Sequence, residues 1–368
     1  MAGTDNIEVD AVVPLKLHYE EPKIYGLGTK YSAVVSDFKC GSDGTIFFQM
    51  VEDYSQAKNE QDEFGQAIPA HVMLMTGLTP SGDVIRFAYE GIPGLRDFLP
   101  EARYFVSNSR IYTLESAAVY DPSNPGKILG QVHVIKIYNY KGIFQGFIRL
   151  DTGIEPINIA AFDSGDVLVV SEDKWNQTAR LLIFDSGGKS QSELRLFDED
   201  YGAKLQLTGK GISGLPSSGD GKALSAMLAL AHWAPLGDDL LFASDRARLP
   251  VLEINEHGLV RATALALPTG EYVGALLPPD LTTLRVLAGQ LSYRDAAGGS
   301  VQESSANALT FFKGNEIEEF NRLDGSLIRR IEFREGLIPV CGDGDTYTFL
   351  TSRKEDGRIQ LIRGNVIH

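Results

Sequence analysis

The sequence predicts an all-β protein, a six-bladed β-propeller built from four-stranded antiparallel blades, with five or seven blades as the alternatives. Short apolar runs with a period of two recur along the 368 residues, and Gly, Asn or Asp separates them. Two kinds of hairpin follow one another in a repeating order. In addition, "CGSDGTIFF" from Cys40 is similar to "CGDGDTYTF" from Cys341, near the other end of the chain.

One kind of hairpin has a Gly turn with Asn or Asp between two alternating strands. The clearest example is "LIFDSGGKSQSELRLF" at 182–197, and the others lie at 72–90, 135–150, 251–265 and 317–333. Alternation with period two buries one face of each strand, and Asn, Asp or Gly tolerates the positive φ of a tight turn. Each of these segments is therefore predicted to be a β-hairpin.

A second kind of hairpin precedes the first kind. The best example is "EPINIAAFDSGDVLVVSED" at 155–173, and weaker copies lie at 104–116, 229–245 and 274–289. Two successive hairpins make four antiparallel strands, so each pair predicts one blade. The predicted blades cover 31–92, 97–154, 155–200, 227–271 and 272–336, and a sixth covers 337–368.

The sixth predicted blade lacks a complete fourth strand. After "TYTFLTS" and "RIQLIRG" only "NVIH" remains, whereas the strand-like segment "IEVDAVVPLKLHY" at 7–19 belongs to no blade. A ring of sheets has no unpaired edge when one blade takes strands from both chain ends. We therefore expect 7–19 to pair with the C-terminal blade and to close the ring, in a single domain that spans 1–368.

The composition excludes some partners. A net charge of −15 repels nucleic acids and anionic membranes, which bind clustered Lys and Arg. No apolar run approaches the roughly 20 residues that span a bilayer, so no membrane insertion is expected. "MAGTDNIEVD" carries no visible secretory signal. The sequence would look the same if a secretory signal had been removed from it. An extracytoplasmic location is favoured only if such a signal was removed.

One part of the chain resembles a known repeat. "GIEPINIAAFDSGDVLVVSED" followed by "LLIFDSGGKSQSELRLF" resembles the repeat of six-bladed propellers of the NHL-repeat-like or TolB-like type. The residues that match it are Pro156, Asp163, Gly165, Glu172, Asp173, Phe184, Asp185 and Gly187. The match is good over 153–197 and partial at 135–150 and 317–349. The resemblance implies architecture but no single activity, because related propellers include protein binders, RNA binders, lyases and lactonases.

The candidate binding residues lie in the loops between the second and third strands of the blades. In a propeller these loops share one face with the connections between blades, around the mouth of the channel. They begin at 51–54, 114–120, 171–175, 244–248, 291–295 and 351–356. The predicted ligand-binding residues are Glu52, Asp53, Glu172, Asp173, Trp175, Asp245, Arg246, Tyr293 and Arg353. Ordinary surface ion pairs, each worth less than ~1 kcal/mol, are the alternative interpretation.

The indole of Trp175 is the sharpest of these signals, because "SEDKWNQT" is polar on both sides. Such a side chain at a loop tip often stacks on a ligand or anchors a partner, and packing over a neighbouring blade is the alternative. We expect a non-catalytic propeller that binds a protein or a small polar ligand at this face. The alternative is a hydrolase or lyase that uses carboxylates at the channel mouth. No metal or cofactor is predicted, since the six His share no close spacing and the two Cys form no zinc pattern.

The two cysteines occupy equivalent positions in adjacent predicted blades. A disulfide requires Cα atoms roughly 4.4–6.8 Å apart, and the innermost strands of neighbouring blades diverge. We therefore expect Cys40 and Cys341 to be buried free thiols. A disulfide that ties the two ends of the chain together is the alternative.

Overall fold

The computed structural model describes the chain in segments that together form thirty β-strands and no helix. Accordingly, none of the described residues belongs to a helix that could cross a membrane. The described segments are 14–25, 31–34, 38–53, 71–87, 91–173, 178–194, 232–236, 239–243, 251–263, 275–276, 284–287, 290–292, 298–299, 301–305, 308–313, 315–321, 323, 325–352 and 359–368.

The first strand of the first unit consists of two separate pieces. Both β3 (Tyr31–Val34) and β4 (Lys39–Cys40) pair with β5 (Ile46–Asp53), which is followed by β6 (His71–Leu78) and β7 (Val84–Arg86). All neighbours in this unit are antiparallel. The alternating run around "TIFFQM" thus forms the second strand, as its pattern predicts.

The next three units each contain four antiparallel strands in chain order. The second unit is β8 (Leu95–Val106), β9 (Arg110–Asp121), β10 (Asn124–Asn139) and β11 (Phe144–Arg149). The third unit is β12 (Pro156–Ala161), β13 (Val167–Asp173), β14 (Thr178–Phe184) and β15 (Ser190–Leu194). The fourth unit is β16 (His232–Leu236), β17 (Asp239–Ala243), β18 (Val251–Asn255) and β19 (Gly258–Thr263).

The turns of the third unit follow the chemistry that the sequence predicts. Gly165 has a φ of 95° between β12 and β13, and its N–H donates to the carbonyl of Phe162 at 2.9 Å. A positive φ costs Gly little and other residues more. The carboxylate of Asp185 accepts the N–H groups of Gly187 and Lys189 at 3.0 and 2.8 Å, which closes the turn between β14 and β15.

The segment after the fourth unit differs from the prediction. β20 (Ala275–Leu276) pairs in parallel with β23 (Gly298–Gly299), and β21 (Leu284–Leu287) pairs both with β22 (Gln290–Ser292) and with β3 of the first unit. The two strands described within the expected hairpin at 274–289, β20 and β21, do not pair with each other, and residues 277–283 of this prediction lie outside the described residues. The four strands of the fifth unit follow later, as β24 (Val301–Ser305), β25 (Ala308–Lys313), β26 (Glu316–Asn321) and β27 (Leu327–Glu332). Pro278 and Pro279 fall inside the expected hairpin, and proline cannot donate to a strand ladder.

The C-terminal unit contains strands from both ends of the chain. β28 (Ile338–Asp343), β29 (Thr346–Ser352) and β30 (Ile359–Ile367) are antiparallel. β1 (Leu15–Tyr19) pairs antiparallel with residues 364–367 of β30, and β2 (Lys23–Ile24) pairs with residues 360–361. The predicted pairing of the N-terminal strand with the C-terminal unit is confirmed for Leu15–Tyr19, whereas residues 7–13 lie outside the described residues.

β1 also joins two units, which the sequence did not predict. Its residues Leu15 and Lys16 pair in parallel with Ile331 and Glu332 of β27. The fifth and C-terminal units therefore form one nine-stranded sheet. Leu17 is buried there among Ile317, Ile331 and Phe349.

Apolar side chains fill the space between neighbouring units. One cluster joins the first and second units, a second joins the second, third and fourth units, and a third joins the C-terminal unit to the first unit. β16 of the fourth unit contacts β24 of the fifth unit. Neighbouring strands of a unit run in opposite directions. In every unit with described turns, the loop between the second and third strands therefore lies at the same end as the segment that leads to the next unit. We call this end the upper end.

The structure overturns the expectation for the cysteines. Cys40 and Cys341 form a disulfide, and their Cα atoms lie 5.9 Å apart. Cys40 ends the short strand β4, and a bulge in β28 lies between Pro339 and Cys341. A bulge redirects the following side chain. The strands β4 and β28 therefore lie in contact at this point.

Deleting residues 1–20 should lower the free energy of unfolding by at least about 3 kcal/mol, because it removes the buried side chain of Leu17 and the half-buried ring of Tyr19. It also exposes the edges of β30 and β27. Denaturant unfolding followed by fluorescence measures the change, and a deletion of residues 1–13, which keeps β1, is the matched control. Equal stability of the two deletion variants would contradict this role of β1.

Removing the disulfide should also destabilise the protein, because the bridge closes a loop with a sequence separation of 301. We expect the Cys40→Ser/Cys341→Ser variant to lose about 2–5 kcal/mol, the usual range for one bridge. Reduced wild-type protein should unfold like this variant, and the unreduced, unfolded wild type should contain no reactive thiol. Two reactive thiols in that titration would show that the cysteines are free.

Candidate functional site

The predicted binding residues fall at the upper ends of second strands, as far as the structure describes them. Glu52 and Asp53 end β5, and Glu172 and Asp173 end β13. The side chain of Glu172 is half-buried, and its backbone N–H donates to the carbonyl of Glu155 at 2.9 Å. The side chains of Glu52, Asp53 and Asp173 lie outside the described residues, as do all of Trp175, Asp245, Arg246, Tyr293 and Arg353. Their convergence around one mouth stays a prediction.

The strands at the upper end are longer than the sequence indicated. The segment 114–120, expected to begin a loop, lies entirely within β9, and a turn of two residues then leads to β10. Its residues are buried from Leu114 to Ala117 and half-buried from Ala118 to Tyr120, so both faces of the strand are covered near its middle. The second unit thus extends further at the upper end than its own outermost strand β11.

The side chains of Glu115 and Lys136 form a buried ion pair on the face of the second unit that packs toward the first. The Lys136 Nζ lies 2.8 Å from the Glu115 Oε2, and the side chains are 1% and 10% exposed. The same Nζ lies 4.0 Å from the centre of the Phe98 ring, within the range of a cation–π contact. Removing either charge would leave the other buried without its counter-charge, which is strongly destabilising.

His133 lies between two carboxylates on the opposite face, at the seam with the third unit. Its Nδ1 is 3.0 Å from the Glu101 Oε1, and its Nε2 is 3.6 Å from the Glu155 Oε2. The hydrogen bond to Glu101 raises the pKa of His133 above its ordinary value of 6.5, against the lowering effect of burial, and the charge of Glu155 adds to the rise. We call Glu101, His133 and Glu155 the upper triplet.

The upper triplet contains two carboxylates and one imidazole, and so carries more negative than positive charge. Two carboxylates flank one imidazole, and the side chains of Glu101 and Glu155 are 30% and 45% exposed. Glu172 adjoins Glu155 through the backbone, so three acidic residues lie close together at the seam of the second and third units. A ligand carrying an amine or guanidinium group fits this electrostatic surrounding.

The upper triplet has no signature in the sequence. Its members come from β8, β10 and the start of the third unit, and no short spacing connects them. One signal was present: His133 and Lys136 interrupt the apolar run "QVHVIKIYNY". Polar residues inside a buried strand need partners, which makes such interruptions indicators of buried pairs.

A second polar network lies between the fifth and C-terminal units and is structural. The guanidinium of Arg329 donates to Glu319 at 2.6 and 3.1 Å and to Asp345 at 2.5 Å, and the hydroxyl of Tyr347 also donates to Glu319. Burial alone would lower the pKa of Arg329, but these hydrogen bonds raise it. Burial and the nearby Glu319 carboxylate both raise the pKa of Tyr347. The network therefore joins the fifth and C-terminal units through Arg329 and Tyr347.

A small cavity between the N-terminal segment and the first unit does not fit a ligand. It has a volume of about 30 Å³ and is lined by Glu20, Lys23, Tyr25, Ile46 and Arg363, among others. Ligand pockets are roughly ten times larger or more, whereas a space of this size holds water. The hydroxyl of Tyr25 donates to the carbonyl of Thr79 at 2.5 Å, and burial raises the pKa of Tyr25 to about 12.

No family model matches the chain, and no curated protein is significantly similar to it in sequence. Similar solved structures include a protein of unknown function from Dyadobacter fermentans (11% identity, 95% of this chain and 99% of that chain, TM-score 0.43). They also include a putative exported protein from Bacteroides fragilis (11%, 98% and 98%, TM-score 0.42). The β-propeller domain of the Trilobed protease from Pyrococcus furiosus is a third (7%, 92% and 94%, TM-score 0.39). At these identities and TM-scores we derive neither a family nor an activity from the likeness.

The charge of His133 should make the stability of the protein depend on pH. Because the folded pKa is raised, the stabilisation by this group is fully present below pH 6.5 and is lost as the pH rises through the folded pKa. NMR titration of the imidazole should give a midpoint above 6.5, and the destabilisation by His133→Gln should be larger at about pH 6 than at about pH 8.5. In the Glu101→Gln control the midpoint should fall toward the ordinary value. A wild-type midpoint at or below the ordinary value would refute the contact.

Proposed function

We propose that the chain is a six-bladed β-propeller of the NHL-repeat-like or TolB-like type, and that β1 closes its ring. Four observations support this architecture: the serial four-stranded units, the apolar clusters between neighbours, the contact of β16 with β24, and the cluster that joins the C-terminal unit to the first unit. The disulfide between Cys40 and Cys341 connects these last two units as well.

We propose further that the protein is a non-catalytic binding propeller that recognises a protein or a small polar ligand at its upper end. The observation that carries this proposal is the acidic seam: the carboxylates of Glu101 and Glu155 flank a single imidazole, and the backbone N–H of Glu172 bonds to the carbonyl of Glu155. Each ring nitrogen of His133 faces a carboxylate. Neither nitrogen is therefore open to accept a proton from a substrate. The seam favours a ligand with an amine or guanidinium group.

A hydrolase or lyase is the second candidate, and the contact between Glu101 and His133 favours it. A carboxylate that holds one imidazole nitrogen is the usual way to orient a general base. In such an enzyme the contact of Nε2 with Glu155, at 3.6 Å, would have to give way to the substrate. A turnover rate that changes with pH as His133 titrates would support this candidate over simple binding.

Calorimetric titration with spermidine and with a short Lys/Arg-rich peptide tests the binding proposal. We expect at least one probe to bind, to bind more weakly at high salt because exposed charges are screened, and to lose affinity in Glu172→Gln. Glu332→Gln removes an exposed carboxylate from the outer strand β27 and is the matched control, with unchanged affinity. Failure of both probes to bind, or equal losses in the two variants, would contradict the proposal.

A further inference from the structure

The upper triplet holds its two carboxylates unequally. The Nδ1 of His133 lies 3.0 Å from the Glu101 Oε1, which is the distance of a hydrogen bond, whereas its Nε2 lies 3.6 Å from the Glu155 Oε2, which is longer than one. The side chain of Glu155 is also the more exposed of the two, at 45% against 30% for Glu101. Of these two carboxylates, Glu155 is therefore the one that a ligand from solvent reaches more easily.

Glu101 is fixed by the first unit while its carboxylate bonds to His133. The pairing of β8 with β9 shifts between Pro100 and Tyr104, and Glu101 lies within this bulge. Its carbonyl accepts the side-chain N–H of Gln49 at 3.0 Å, and Gln49 is buried in the first unit. A bulge redirects the side chain that it contains. Glu101 is thus a positioning residue, because it holds the imidazole beside Glu155.

The charged groups near His133 are three carboxylates and one guanidinium, which belong to Glu101 and Arg103 on β8, Glu155 before β12 and Glu172 on β13. The Nε of Arg103 donates to the carbonyl of Ile157 at 3.3 Å. On β9 the cross-strand partner of His133 is the uncharged Ser116, and from the side of β11 the N–H of Leu150 donates to the backbone carbonyl of His133. Histidine is the one side-chain type in this set whose charge ordinarily changes between about pH 5 and 8.

A protonated His133 takes the place that a cationic ligand would need. The imidazolium faces both carboxylates and neutralises part of their charge. A second cation at Glu155 would lie close to the Nε2 of His133, and like charges at such short range repel one another. A neutral imidazole removes this repulsion and leaves the charge of Glu155 to the ligand.

We propose that Glu155 receives the cationic group of the ligand, and that this cation competes with the proton of His133. The inference rests on the proposed binding function and adds its regulation, because the ligand binds tightly when His133 is neutral and weakly when His133 is protonated. Linkage makes the effect reciprocal. The bound ligand therefore lowers the pKa of His133 by the same factor by which protonation weakens binding.

Calorimetric titration with N-acetylated tetra-arginine amide tests the competition, since guanidinium groups keep their charge over the whole range used. We expect the peptide to bind about five- to tenfold more tightly at about pH 9 than at about pH 6. Titration near the midpoint of His133 in two buffers with different heats of ionisation should show that binding releases protons. In wild-type protein saturated with the peptide, the NMR midpoint of His133 should fall by about 0.7 to 1 pH unit.

Two variants of His133 fix its charge. His133→Gln is neutral and should bind the peptide tightly at both pH values, whereas His133→Lys stays charged and should bind it weakly at both. In Glu101→Gln the affinity should rise at a lower pH than in the wild type, which a purely structural role would not produce. Glu155→Gln should weaken binding at about pH 9 at least about fivefold. Thermal unfolding establishes that the variants fold, and the NMR midpoint of the wild type decides the question for any that do not.

The outcomes separate this inference from the binding proposal on which it rests. If the wild-type affinities at the two pH values differed by less than about twofold, the competition would be overturned while the binding proposal stood. A midpoint of His133 that the saturating peptide left in place would have the same meaning. Absence of binding at both pH values would contradict the binding proposal and this inference with it.

Discussion

The pairing of β1 with β30 is the contact on which the rest of the architecture depends. β1 lies between β30 and β27, and it therefore supplies a partner to the last strand of the chain and to the outer strand of the fifth unit. Side chains reinforce this position, since the Tyr19 hydroxyl accepts the N–H of Arg334 at 2.7 Å and the Tyr19 ring lies 4.7 Å from the Arg334 guanidinium. The disulfide adds a covalent link between the C-terminal and first units. Both ends of the chain are thus tied into one structure.

The apolar contacts between units and the buried ion pairs within units contribute differently to the stability of the fold. The seams that join the second, third and fourth units are filled with aliphatic and aromatic side chains such as Ile135, Leu168 and Phe184, whose burial stabilises the fold. Buried ion pairs such as Glu115–Lys136 and Glu319–Arg329 contribute little net stability, because desolvation offsets their attraction. They do penalise any packing that separates the partners. Both pairs join neighbouring strands of one unit, so they favour the observed strand register within that unit.

Local patterns predicted the strands and turns well where the alternation is regular. The hairpins at 155–173 and 182–197 became β12–β13 and β14–β15, and the unassigned N-terminal strand joined the C-terminal unit. The two strands described within 274–289 pair with other strands and not with each other, and the strand β9 continues through the segment expected to begin a loop. Among the predicted binding residues only Glu172 has a described side chain, and it adjoins the upper triplet, which the sequence did not reveal.

The sequence by itself determined the all-β class, the positions of most strands and the turns that join them, because these depend on the alternation of neighbouring residues and on the φ preferences of Gly, Asn and Asp. Only the tertiary structure decided the disulfide and the upper triplet. Each of these depends on the distance between segments that are far apart in the chain. That distance follows from sheet packing, strand length and a bulge near Cys341, none of which a local pattern contains.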